Sequence, residues 1–125
     1  MNKNIHNNSY FNSISFDIEE WYHANYDDVL IDSFQNKATN LEDNVDRLVD
    51  VCEKYRVKST CFVLGTVARD KPEIVRKLHN AGHEIASHGF SHKLVYSMTE
   101  KEFLKETNKL LKKRVDSGGF GHPGP

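Results

Sequence analysis

His88 and His92 stand four residues apart in Ser-His-Gly-Phe-Ser-His, and an acidic group, Asp17, Glu19 and Glu20, closes the apolar run around Phe16 and Ile18. Two imidazoles and one carboxylate make a three-ligand set for a zinc-like divalent ion. Such a set leaves one position open for water, the property that separates catalytic zinc sites from structural ones. Histidines at i and i+4 can face the same way from a helical turn or a tight loop, and a carboxylate from another segment then completes the face. Glu19 is the expected carboxylate ligand, with Glu20 as the alternative. Asp17 lies two residues before Glu19, so its side chain can reach the same pocket without binding the ion, which suits a general base acting on water there. Each cluster alone has an ordinary explanation. A chain with seven histidines often carries such a pair in an exposed loop, and acidic residues after a strand commonly cap the next element.

The elements around these residues decide between the two readings. Ser13 to Ile18 reads as a short buried strand whose end delivers the acidic group. Residues 20 to 40 show no clean period and are expected to form a long loop with Trp21, Tyr22, Tyr26 and Phe34 scattered through it, a kind of loop that tends to be functional. From Thr39, whose spacing to Glu42 fits a capping box, Leu41, Val45, Leu48, Val49, Cys52 and Tyr55 share one face of a helix. Lys58 to Leu64 is β-branched and aromatic enough for a second strand closed by Gly65. Asp70 as cap, Pro72 and Glu73 open another helix, which runs through Ile74, Val75 and Leu78 to Gly82. His83 to Ser87 reads as a third strand, and its carboxyl end again carries chemistry, in His88 and His92. Thr99 with Glu102 makes a further capping box, and Phe103, Leu104, Thr107, Leu110 and Leu111 form the apolar face of the last helix. Three strand–helix units in succession predict an α/β fold of parallel strands with covering helices, in which functional residues gather at the carboxyl ends of the strands. Both clusters fall there.

Composition narrows the function classes. At 125 residues and 38% hydrophobic content the chain suits one compact core, divided here into a polar segment 1–12, a domain 13–117 and a Gly/Pro-rich tail 118–125. Seventeen basic residues against eighteen acidic ones leave a formal charge of -1, with no electrostatic footprint for nucleic acid or an anionic membrane, so an uncharged polar substrate fits better. The first residues lack the apolar core of a secretory signal and no stretch reaches the length of a membrane span, which makes the cytoplasm the expected location. Cys52 and Cys61 sit among apolar neighbours and are expected to be reduced core thiols. Walker and dinucleotide fingerprints are both missing from the sequence, as is any internal repeat.

Three stretches together resemble the polysaccharide deacetylases of the NodB homology type, carbohydrate esterase family 4, in their Asp-x-Glu variant. They are Ser15-Phe16-Asp17-Ile18-Glu19-Glu20-Trp21-Tyr22-His23, Thr60-Cys61-Phe62-Val63-Leu64-Gly65, and Gly82-His83-Glu84-Ile85-Ala86-Ser87-His88-Gly89-Phe90-Ser91-His92. The last is the most specific, and the likeness spans residues 13 to about 112. The resemblance implies an irregular (β/α) barrel, zinc or a similar divalent ion held by a carboxylate and two histidines, and hydrolysis of N-acetyl groups on amino-sugar polymers or oligomers. Carried over by position, Asp17 is the base and His88 and His92 are ligands. Glu19 stands one residue beyond the place where many relatives carry a metal-binding aspartate. Gly119-Phe120-Gly121-His122-Pro123 aligns with the family's Gly-Phe/Tyr-Arg-Ala-Pro segment, with Gly121 in the arginine's position.

Three strand–helix units make a partial barrel, whose open strand edge a partner chain could cover. Three functional expectations follow. The first is a metal-dependent N-acetyl amino-sugar deacetylase, the second a truncated, catalytically inactive metal-binding fragment of that fold serving as an interaction module, and the third the same fold acting on a small cyclic amide.

Overall fold

The computed structural model describes residues 10–23 and 40–116, the side chains of residues 110–116 excepted. Three short strands form its centre: β1 (Ser15–Ile18), β2 (Thr60–Val63) and β3 (Glu84–Ser87). They pair in parallel in the order β1-β2-β3, so each connection returns the chain to the next position in the sheet. This is the arrangement of consecutive strands in a (β/α) barrel, and the α/β expectation holds.

Helix α1 (Leu41–Lys54) joins β1 to β2. Its Leu41, Val45 and Cys52 are buried and Leu48 and Val49 pack partly on the core, as the periodicity predicts, whereas Tyr55 lies past the helix end and is exposed. The predicted cap Thr39 lies outside the described residues; Asn40 is the N-cap and makes no side-chain capping bond.

Two helices separate β2 from β3, where one was expected. Gly65 does not end a strand in a turn but opens α2 (Gly65–Asp70), and α3 (Pro72–Asn80) follows after Lys71. Asp70, the expected cap of α3, is the last residue of α2 and its carboxylate is engaged by Arg69, which leaves Lys71 at the N-cap. Pro72 at the start of α3 has no N–H to leave unsatisfied, so the helix opens there despite the missing side-chain cap. The buried residues of α2 and α3, among them Val67, Ile74, Val75 and Leu78, meet Cys61 and Val63 of β2 and Ile85 of β3 in one apolar core. Cys52 and Cys61 are both buried and unbridged.

Helix α4 (Glu100–Asp116) begins with the predicted capping box: Thr99 N–H donates to Glu102 Oε2 at 2.7 Å and Glu102 N–H donates to Thr99 Oγ1 at 3.2 Å. Its expected apolar face is not buried at its start, since Phe103 and Leu104 are 45% and 55% exposed. The side chains of Leu110 and Leu111 fall outside what the structure describes, as do the segments 1–9, 24–39 and 117–125, the last of which holds Gly121 and His122. No helix among the described residues is long and apolar enough to cross a membrane.

Candidate metal centre

The strand register brings the two chemical clusters together. Val63 of β2 pairs with Ile18 of β1 on one side and with Ser87 of β3 on the other. Glu19 and His88, the next residue on each outer strand, therefore leave the sheet at the same level, and both lean across the end of β2. The ladder continues one step further, with His88 N–H donating to Val63 O at 3.1 Å and Leu64 N–H to Ile18 O at 3.4 Å. Side chains alternate along β1, so Ile18 enters the core while Asp17 and Glu19 share the other face.

Oε2 of Glu19 lies 3.0 Å from Nε2 of His88 and 3.4 Å from Nε2 of His92. The two imidazoles meet edge to face with centroids 4.8 Å apart. One donor atom from each of Glu19, His88 and His92 lies within 4.8 Å of the other two, a spacing that could hold a metal ion. Glu19 Oε2 and His88 Nε2 are both buried and neither has a hydrogen-bond partner. Buried polar atoms seldom go without a partner, and here two of them stand 3.0 Å apart with no hydrogen bond to satisfy either. A cation between them would satisfy both, so the residues fit a divalent ion of the kind bound by nitrogen and oxygen.

Asp17 stands beside this group rather than in it, half exposed, with Oδ2 3.7 Å from His88 Nε2. Glu20, the alternative ligand, takes another partner. Its carboxylate is 3% exposed and accepts a bond from Lys71 Nζ at 3.2 Å. His23 turns back on the same residue: its Nδ1 accepts the Glu20 N–H and its own N–H donates to Glu20 O, each at 2.9 Å. Burial lowers the His23 pKa from its ordinary value, which favours the neutral ring, and the accepted bond then leaves the ring proton on Nε2.

The loop from His88 to His92 owes its shape to its backbone. Gly89 has φ 78° and His92 φ 62°, both left-handed, and these two reversals turn the rings toward each other. A non-glycine residue held there carries strain that clusters at functional sites. The first two N–H groups of α2 fix the same loop: Gly65 donates to Gly89 O at 2.8 Å and Thr66 to Phe90 O at 2.9 Å. These donors have no partner inside their own helix, and the histidine loop supplies one for each. From the other side Ser91 Oγ donates to Glu106 Oε2 of α4 at 2.6 Å. A cavity of about 380 Å³, walled by Phe90, Leu94, Met98 and Phe103, opens between this loop and α4.

All four site residues expected from the sequence thus come to one place. The supporting residues Gly65, Lys71 and Glu106 were not foreseen; a Gly directly after a strand that ends beside a metal motif was the one available signal.

The polysaccharide deacetylase family model matches residues 22–114 of the sequence. The chain belongs to that family. It is 40% identical over 45 residues to a chitooligosaccharide deacetylase of Sinorhizobium fredii, an alignment covering 36% of this chain and 21% of that protein. It is 30% identical over 64 residues to the peptidoglycan-N-acetylmuramic acid deacetylase PdaA of Bacillus subtilis, covering 51% and 24%. The chain thus spans less than a quarter of the length of either of these relatives. Among solved structures, the peptidoglycan deacetylase PdaC of Bacillus subtilis superimposes with a TM-score of 0.57 at 28% identity, covering 62% of this chain and 39% of that one. The fold of this polysaccharide deacetylase chain is accordingly the barrel type of its relatives, represented by part of its strands.

Proposed function

We propose that this chain is a metal-dependent hydrolase that removes N-acetyl groups from amino-sugar polymers or oligomers. The observation that carries the proposal is the convergence of Glu19, His88 and His92 with two buried donor atoms lacking partners, in a member of the polysaccharide deacetylase family. Glu19, His88 and His92 would hold a divalent cation, for which this donor set suits zinc, and such an ion would supply Lewis acidity toward water and an amide oxygen.

Glu19 and the two histidines hold the cation in this proposal. Asp17, close to the group and open to solvent, accepts the proton of the attacking water. The water oxygen bonds to the acetyl carbon, the acetamide C–N bond breaks as the departing nitrogen takes up the proton that Asp17 accepted, and acetic acid and the sugar amine are released. The matched relatives are named for chitooligosaccharides and peptidoglycan, which share the N-acetyl amino sugar, and the substrate class is proposed from that common unit.

Metal content and acetate release test the proposal. Zinc stoichiometry is expected to be one in the wild type and to fall in His88→Ala and His92→Ala; full retention in both would overturn the ligand assignment. Acetate release from N-acetylglucosamine oligomers is expected to drop by roughly two orders of magnitude or more in Asp17→Asn. Zinc binding without any turnover would assign the chain a metal-binding role alone and overturn the hydrolytic one.

A further inference from the structure

Glu20 is a carboxylate with almost no contact with water, placed one residue after the expected metal ligand Glu19. Burying such a group is unfavourable by several kcal/mol unless a cation and hydrogen bonds compensate. Lys71 is that cation, fifty-one positions away in the chain. The same ammonium reaches Glu42 in the first turn of α1 at 2.8 Å. Lys71 itself occupies the junction between α2 and α3, where the backbone is fixed by the end of one helix and the start of the next. One side chain therefore links the turn after β1, the start of α1 and the α2–α3 corner.

At Glu20 the carboxylate, the N–H and the carbonyl are all engaged, by Lys71 on one side and His23 on the other. Glu19 is held between this anchor and the β1 ladder, where Ile18 O accepts from Leu64 N–H. With both flanking residues fixed, the Cα–Cβ direction of Glu19 is fixed too, which narrows the region its carboxylate can reach.

We propose that Lys71, through its buried pair with Glu20, is a positioning residue that aims the Glu19 carboxylate at His88 and His92 and so sets the affinity of the site for its cation. This rests on the proposal that those three residues hold a divalent ion. Groups that orient a ligand from outside the coordination sphere typically change metal affinity by 10- to 100-fold when removed. Lys71→Met removes the ammonium and keeps most of the stem.

The experiment measures the zinc dissociation constant by chelator competition on the folded protein, with thermal unfolding recorded alongside. Lys71→Met is expected to weaken zinc binding about 10- to 100-fold. Lys71→Arg should recover most of the affinity, because a guanidinium can serve the same two carboxylates. Glu42→Gln removes the other partner of Lys71 and leaves Glu20 paired, so it should stay within about threefold of the wild type, even where it lowers the unfolding temperature. Should Lys71→Met not fold, Glu20→Gln keeps the volume and is expected to weaken zinc binding at the lower end of that scale, about 10-fold.

Zinc affinity unchanged in Lys71→Met, or in Glu20→Gln if that variant has to be used, overturns the positioning role while the ligand assignment stands. Equal losses in Lys71→Met and Glu42→Gln overturn it as well, since a merely structural cation would behave that way. A wild type that binds no zinc overturns both the role and the ligand assignment beneath it.

Discussion

A methyl group placed on Gly65 has no space to occupy. Its Cβ would overlap the ring of Phe90 and come within 3.0 Å of the Phe90 Cα, backbone that cannot swing aside as a flexible side chain can. Phe90 is itself buried, so the ring has no easy alternative position. Gly65→Ala must therefore push α2 away from the histidine loop or distort the loop. The overpacking alone is destabilising by about 1–3 kcal/mol. Separation also stretches the bonds from Gly65 and Thr66 N–H to Gly89 and Phe90 O, each contributing on the order of 1 kcal/mol. With one of those bonds lost, the expected total is about 2–4 kcal/mol, read as a lower urea midpoint at unchanged slope. Because the same loop carries His88 and His92, zinc affinity should fall in parallel. Phe90→Ala removes the ring overlap, the closest of these contacts, and leaves only the approach to the Cα, so the double variant Gly65→Ala/Phe90→Ala should lose clearly less than the sum of the two single losses. Additive losses, or a Gly65→Ala protein as stable as the wild type, would refute the contact between α2 and the loop as the source of the effect.

Two further outcomes concern the packing behind the site. His83 is buried, its Nδ1 accepting from Ser59 N–H at 3.1 Å, and burial, reinforced by nearby Lys58, lowers its pKa from the ordinary 6.5. The unfolded chain then binds the proton first, so in chelator-containing buffer folding stability should decline as pH falls below about 6.5. His23 shifts in the same direction, and His83→Gln should thus flatten the slope between about pH 5 and 7 without removing it; an identical slope in the variant would exclude His83 as a contributor. Ser91→Ala deletes the donor to the part-buried Glu106 carboxylate and should lower stability by about 1–2 kcal/mol in urea titration, with a smaller loss of zinc affinity. No change in either quantity would mean that α4 does not steady the loop.

Much of the frame was legible in the sequence because it depends on local pattern. Three short strand stretches, a clean helical face from Leu41 to Cys52 and the Thr99–Glu102 box are each decided within a few residues. The meeting of Glu19 with His88 and His92 was also accessible, since parallel strands present their carboxyl ends together. Features that depend on distant partners were not. Gly65 looks like the end of a strand, and only Phe90, twenty-five positions later, shows why a glycine opens a helix there. Glu20 could be taken for a ligand because Lys71 is invisible to any local pattern. Asp70 has the composition of a cap, yet a second helix ends on it. The left-handed backbone of His92 has no signature, because histidine at that φ is tolerated rather than preferred.

The pairing of Val63 with both Ile18 and Ser87 makes the middle strand a ruler for the whole site. Exchanging one side chain for another along these strands alters packing only locally. Adding or dropping a single residue within β1 or β3 is different, because it sends every later side chain to the opposite layer and turns Glu19 or His88 away from its companions. Length variation among descendants of this chain therefore belongs in its connecting segments, and the three strands, though only four residues each, are bound to keep their count.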